Sequence, residues 1–109
     1  MSLMEIANQL VAFCKEGKNL ESINTLYADD VESIEAADPP QGDRVTKGIE
    51  GVRAKNQWWG ENHEVHSAGV EGPWPHGSDR FAVRFSYDVT NKPSGQRYQM
   101  DEIGVFTVA

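Results

Sequence analysis

The sequence predicts an α+β fold, a cone-shaped barrel in which three N-terminal helices pack on a strongly curved antiparallel sheet. Apolar residues recur at helical spacing through the first half of the chain, and they alternate with a period of two in the C-terminal third. Clusters of Pro, Gly, Asn and Ser separate these patterns. At 109 residues, the chain is expected to form one domain, residues 1–109.

The helical pattern accounts for three segments of the chain. Their apolar residues repeat every three or four positions, which is typical of helices with one buried face. The predicted helices are Met4–Cys14, Leu20–Tyr27 and Ile49–Asn62. A short strand, Val31–Glu35, and an irregular loop over residues 36–46 are expected between the second and third helices, because Pro39 and Pro40 interrupt regular structure.

The period-two pattern predicts a sheet built on one long hairpin. The expected strands are Glu64–Pro73, Phe81–Thr90 and Tyr98–Val108, with turn residues Asn91–Gln96 joining the last two. Asp101 stands out in this hairpin, because it is a carboxylate among apolar neighbours.

Composition excludes several classes of function. The net charge of −7, with acidic residues spread along the chain, argues against nucleic acid and anionic membrane surfaces as partners. A single cysteine, Cys14, excludes an internal disulfide, and the three histidines lack the spacing of metal ligands. We therefore expect no metal and no cofactor. No apolar run is long enough to span a membrane and no secretory signal is visible, so a cytoplasmic location is expected.

Several short segments together resemble a known family. Leu26–Val31, then Gly48–Arg53 before Trp58-Trp59, and the hairpin segments Asp79–Phe85 and Asp101–Val108 resemble the SnoaL-like group of the ketosteroid isomerase and nuclear transport factor two superfamily. The resemblance covers essentially the whole chain. It implies a small-molecule pocket between helices and sheet. It also implies one more strand after the position of Ala109, so this final family strand is expected to be missing from the chain.

The resemblance to steroid isomerases implies candidate catalytic residues. Asp101 matches their protonated acid and Asp38, before Pro39, matches their base. The position of their first-helix tyrosine is Leu10, which cannot donate a hydrogen bond, so the same steroid isomerisation is not expected. Tyr87 shares a face with Phe85 and is either a replacement donor or a core aromatic residue.

Two orientations of Asp101 stay open at this point. Facing the pocket, its carboxyl would lose hydration and its pKa would rise; facing outward, it would pair with Arg84 or Arg97. We favour the pocket orientation, which would place Glu102 on the outside.

The pocket is expected to hold a small, mostly apolar molecule. The expected ligand-binding residues are Trp59, Trp58, Phe85, Val83, Tyr27, Ile103 and His66. The superfamily includes isomerases, cyclases, dehydratases and binding domains without catalysis, so two hypotheses remain. One is proton transfer on the bound molecule. The other is a non-catalytic ligand-binding or dimerisation module, and in either case a homodimer through the sheet is expected.

Overall fold

Three helices and five strands make up the computed structural model, which describes residues 1–36 and 42–109. In chain order the elements are α1 (Leu3–Lys15), α2 (Asn19–Leu26), β1 (Glu32–Ile34), β2 (Val45–Lys47), α3 (Ile49–Asn62), β3 (His63–His76), β4 (Arg80–Asn91) and β5 (Gln96–Thr107). This is the α+β architecture that the sequence predicts. One strand was not expected, β2, which overlaps the end of the segment predicted as loop.

The first helix begins at a capping box. Ser2 accepts a hydrogen bond from the Glu5 backbone N–H, and the Glu5 side chain accepts one from the Ser2 backbone. At the other end Gly17 adopts a positive φ of 73°, which glycine tolerates without strain. In the described part of the chain, no helix is both long and apolar enough to cross a membrane.

Two antiparallel sheets lie beside the helices. The larger has the strand order β3-β4-β5, and the smaller pairs β1 with β2. Along β4 the side chains of Phe81, Val83, Phe85 and Val89 are buried. We call the face that carries them the inner face and the opposite one the outer face.

The main core forms where α1 covers the inner face. Its buried members are Ala7, Leu10, Val11 and Cys14 from the helix and Phe81, Val83 and Phe85 from β4. A second cluster joins Ile23 of α2 to Ile49 and Val52 of α3, and Tyr27 packs against both clusters. The helices are therefore held to one face of the sheet, and they leave β5 less covered than β4.

Gly104 of β5 faces this core from the neighbouring strand. A Cβ atom there would lie 3.0 Å from a ring carbon of Phe106 and 3.2 Å from one of Phe85. The absence of a side chain lets these two rings meet, with centroids 6.5 Å apart.

Leu10 and Leu20 provide a matched test of the core. Leu10 is 3% exposed and Leu20 is 46% exposed. Leu10→Ala is expected to lower the free energy of unfolding by about 2–5 kcal/mol, because it leaves a cavity in the core. Leu20→Ala should change it by about 0.5 kcal/mol or less. Urea unfolding at one protein concentration measures both, and equal losses would contradict this assignment of the core.

Candidate functional site

The pairing of β4 with β5 determines which side chains of β5 face the helices. Phe85 pairs with Glu102 and Val89 with Tyr98, and directly paired residues of antiparallel strands share a face. Phe85 and Val89 are buried on the inner face. Glu102 and Tyr98 therefore lie on the inner face of β5.

Asp101 lies on the outer face, contrary to the orientation that we favoured from the sequence. Its cross-strand partner is Ser86, and Arg84 donates two hydrogen bonds to its carboxylate, Nε to Oδ1 at 2.9 Å and Nη2 to Oδ2 at 2.6 Å. The hydrogen bonds from Arg84 lower the pKa of Asp101 below its usual value. Asp101 is thus an exposed carboxylate in an ion pair, which was the alternative interpretation.

Glu102 is the carboxyl that the inner face carries instead. Burial raises its pKa above the usual value, the nearby charge of Glu35 raises it further, and the ammonium of Lys55 opposes the shift. The residue is nonetheless exposed to water by its surface area, because the helices cover β5 less than β4, so the direction of this shift is the part that the structure supports. Sequence reasoning assigned Glu102 to the outside. The signal that could have placed it was the pair of charges Arg84 and Asp88, which mark the solvent face of β4.

Lys55 projects from the face of α3 that carries Trp59 four residues later. Its ammonium donates to Ser33 Oγ at 2.7 Å and to Glu35 Oε1 at 3.1 Å. These contacts hold α3 against the β1 segment. The charges of Glu35 and Lys55 both influence the pKa of the Glu102 carboxyl. We call the region bounded by these three side chains the cleft.

Tyr87 lies on the inner face between the core and the cleft. Its ring stacks on that of Phe85, with centroids 6.5 Å apart and planes 4° apart, and lies 5.5 Å from the ring of Trp59. Burial raises the pKa of its phenol, and a hydrogen bond with Asn19 partly offsets the shift. Phe85, Tyr87 and Trp59 therefore form an aromatic wall.

A buried histidine, which was not among the expected ligand-binding residues, completes this wall. His63 is 7% exposed and stacks on Trp59, with centroids 4.4 Å apart. Its Nδ1 lies 2.8 Å from the carbonyl oxygen of Trp59 and its Nε2 lies 3.1 Å from the hydroxyl of Tyr98. The neutral tautomer with the proton on Nδ1 satisfies both contacts, since the Tyr98 hydroxyl can then donate to Nε2. Trp58, which is 57% exposed, meets the edge of His63 at 6.2 Å.

Three expected ligand-binding residues are not available to the cleft. Val83 is fully buried in the core. Ile103 pairs with Arg84 on the outer face and is 59% exposed. His66 also points outward, where its Nε2 lies 2.7 Å from Thr90 Oγ1, because the register of β3 shifts between Val65 and Ser67.

The remaining residues predicted to bind a ligand or take part in catalysis lie in different environments. Phe85 is 8% exposed and Tyr27 is half-buried, with a pKa raised to about 12 by burial. Leu10 is a core residue, so no donor stands at its position. Asp38 lies outside the residues that the structure describes.

The described part of the chain contains no set of side chains arranged to bind a metal ion. Among residues 1–36 and 42–109, no group of three His, Cys, Asp or Glu side chains is arranged to hold an ion. The cleft instead combines a carboxyl of raised pKa, an ammonium and an aromatic wall. Such a set can bind an apolar molecule and move a proton on it.

Comparisons with known proteins agree with this architecture. A family model described as the SnoaL-like domain matches residues 1–109. A solved structure from Mesorhizobium loti, named as a candidate SnoaL-like polyketide cyclase with "carbohydrate phosphatase" in brackets, is 46% identical with a TM-score of 0.93. That alignment covers 100% of this chain and 91% of the other. No curated protein matched the chain. The chain belongs to the SnoaL-like family, within the nuclear transport factor two-like superfamily.

Proposed function

We propose that this protein binds a small, mostly apolar molecule in the cleft and catalyses proton transfer on it, with Glu102 as the acid–base group. The observation that carries the proposal is the position of Glu102 on the inner face, where burial raises the pKa of its carboxyl. A base whose pKa lies nearer to neutrality transfers protons in both directions more readily. Isomerases, cyclases and dehydratases all need such a step.

The aromatic wall supports binding of an apolar body. Phe85, the cross-strand partner of Glu102, is buried, and the partly exposed rings of Tyr87 and Trp59 continue the wall from it. Rings of this size contribute large apolar contact areas. The solved relative named as a candidate polyketide cyclase is consistent with chemistry on a cyclic, carbon-rich molecule. For this chain we infer the reaction type from Glu102 and the molecule's apolar character from the wall.

Glu102→Gln and Asp101→Asn form a matched pair that tests the assignment. With β-tetralone, an apolar bicyclic ketone, as the probe, Glu102→Gln is expected to slow deuterium exchange next to the carbonyl by about 100-fold or more, because general acid–base catalysis contributes ~10²–10⁴-fold. Proton NMR in deuterium oxide measures the rate.

Asp101→Asn serves as the control and is expected to keep the wild-type rate, since its carboxylate lies on the outer face with Arg84. The reverse pattern would return the catalytic role to Asp101. Wild-type protein that neither binds β-tetralone nor exchanges it above the buffer rate would refute the proposal.

The same pair of variants should show opposite effects on stability as the pH changes. The pKa of Glu102 is raised by burial, so the folded chain binds more protons than the unfolded chain above about pH 4, and the free energy of unfolding falls as pH rises through that range. Arg84 lowers the pKa of Asp101, so that group stabilises the fold at neutral pH and loses this effect as pH falls through its folded pKa.

At neutral pH we therefore expect Glu102→Gln to be more stable than wild type and Asp101→Asn to be less stable. The Glu102 difference should shrink towards pH 3, as this carboxyl becomes protonated in the folded and unfolded chains, and the Asp101 difference should shrink as the pH falls through the lowered folded pKa of Asp101. Urea unfolding across this pH range at fixed protein concentration is the measurement. A difference of the same sign for both variants would contradict the two pKa assignments.

A second role, association of two copies through the outer face, is supported by a separate observation. Trp74, Ala82 and Val105 form a row across the three strands, and Trp74, Ile103 and Val105 are 47%, 59% and 66% exposed. Exposed apolar area of this kind marks interfaces. A groove of about 640 Å³, lined by Ser86, Asp88, Gln99 and Asp101 among others, lies on the same face.

The charges of the outer face are compatible with self-association. Arg84 pairs with Asp101 at 2.6 Å and with Glu71 at 3.6 Å, and Arg97 pairs with Asp88 at 2.8 Å. The two arginine charges offset two of these three carboxylate charges, so this part of the outer face is nearly neutral, although the whole chain has a net charge of −7. Two copies can therefore bring these faces together with little repulsion.

Ile103→Asp tests this interface against Ile34→Asp. Both isoleucines are exposed, at 59% and 67%, but Ile34 lies on β1, away from the outer face. Sedimentation velocity at micromolar concentration should show a dimer for wild type and Ile34→Asp, and a shift to monomer for Ile103→Asp. A monomeric wild type, or equal behaviour of the two variants, would contradict the interface.

A further inference from the structure

His63 lies where four elements meet, and its hydrogen bonds have no part in the proposed proton transfer. It is the first residue of β3 and directly follows the end of α3. The side chain is 7% exposed and stacks on Trp59, with ring centroids 4.4 Å apart and planes 14° apart. Its two ring nitrogens contact groups from α3, β4 and β5. The chemistry of these partners determines which ring nitrogen carries the proton.

The turn after β4 fixes the orientation of the Asn91 carboxamide. Its Oδ1 accepts hydrogen bonds from the backbone N–H and the hydroxyl of Ser94, both at 3.0 Å. A backbone N–H can only donate, so the carboxamide atom that faces it is the oxygen and the remaining atom is the NH₂ nitrogen. That nitrogen lies 3.4 Å from Nε2 of His63. Nε2 therefore faces a group that can only donate.

The partners of both ring nitrogens agree on one neutral tautomer of His63. Nδ1 lies 2.8 Å from the carbonyl oxygen of Trp59, which can only accept, so Nδ1 carries the proton. Nε2, which faces the NH₂ group of Asn91, is then an acceptor. The Tyr98 hydroxyl lies 3.1 Å from Nε2 and therefore donates its hydrogen to this nitrogen. Because its hydrogen is used, the Tyr98 oxygen can only accept from a further partner.

The Tyr98 oxygen lies at the edge of an apolar, partly open surface. Tyr98 belongs to the inner face of β5 and is 36% exposed. Within residues 1–36 and 42–109, its hydroxyl is hydrogen-bonded to His63 alone. The rings of Tyr98 and of the exposed Trp58 both meet His63 edge-on, at 6.3 Å and 6.2 Å. Trp59 continues this surface to Tyr87. A molecule on these rings would meet one hydrogen-bond acceptor of fixed direction.

We propose that the Tyr98 oxygen accepts a hydrogen bond from a hydroxyl group of the ligand, so that the ligand is an apolar alcohol or phenol. The inference rests on the proposed binding of an apolar molecule to the aromatic wall. It does not depend on the reaction at Glu102. His63 is a positioning residue in this arrangement, because its Nε2 holds the Tyr98 hydrogen and leaves the oxygen lone pairs to the ligand.

Three bicyclic probes differ in the hydrogen bonds that they can make. β-Naphthol can donate, its methyl ether has the same rings without a donor, and β-tetralone offers a carbonyl acceptor. Calorimetry measures the dissociation constants of all three for wild type, Tyr98→Phe, His63→Phe and His66→Phe. His66 is an exposed histidine of the outer face, so His66→Phe provides a control with the same change of residue.

Tyr98→Phe tests the acceptor directly, because it keeps the ring and removes only the hydroxyl. We expect the preference of the protein for β-naphthol over its methyl ether to fall about two- to tenfold in this variant, the range of a neutral hydrogen bond. Tyr98 is partly exposed, so the variant is expected to fold. His66→Phe should keep the wild-type preference.

His63→Phe tests the positioning role. It removes the acceptor for the Tyr98 hydrogen, so the hydroxyl becomes free to donate to a ligand. β-Tetralone is then expected to bind more tightly relative to β-naphthol than it does in wild type. The ratio of two constants within one variant stays informative even where His63→Phe is less stable. An unchanged ratio would contradict the positioning role of His63.

Nitrogen-15 NMR of the histidine rings provides an independent measurement, and His63 should show a protonated Nδ1 and an unprotonated Nε2. The outcomes distinguish the two proposals. A proton on Nε2, or equal probe preferences in wild type and Tyr98→Phe, overturns the role of Tyr98 and leaves binding to the aromatic wall intact. Failure of wild type to bind any of the three probes refutes binding to the wall, and with it the proposed function.

Discussion

The hydrogen-bonded pairing of β4 with β5 is the constraint on which the site depends. It sets Ser86 opposite Asp101 and Phe85 opposite Glu102, so two adjacent acids in the sequence lie in two different environments. On the outer face Arg84 holds Asp101 as a carboxylate in contact with water. On the inner face burial disfavours ionisation of Glu102. A shift of the pairing by one residue would exchange these two environments.

The cleft combines parts of the fold that are far apart in the chain. Ser33 and Glu35 follow the second helix, Lys55 and Trp59 lie on the third, and Glu102 lies on the last strand. The hydrogen bonds from Lys55 to Ser33 and Glu35 hold the β1 segment against α3. His63 connects α3 to β5 through Tyr98. These links orient the side chains of the proposed site, and a prearranged site loses less entropy on binding.

The helices and the long strands were predictable from the sequence, because each has a strong local pattern, whereas the three-residue strand β2 was missed. The helix predicted at Ile49–Asn62 has those bounds in the structure, and the hairpin strands differ by only one or two residues at their ends. The orientation of Asp101 was not predictable in the same way. Both faces of β5 mix polar and apolar residues, so only the partner strand decides which face is covered. The prediction that His66 binds a ligand was wrong for a related reason. A register shift in β3 turns its side chain to the outer face.

The packing around Gly104 limits which side chains this position of β5 can carry. The rings of Phe85 and Phe106 already fill the space that a side chain at position 104 would need, since its first carbon would lie 3.0 Å from Phe106. A larger residue at this point of β5 would therefore force these two rings to shift, while the exposed Trp58 on α3 is not packed in the core. A change of ligand size during evolution would be accommodated at the helix, and the strand that carries Glu102 would keep its position.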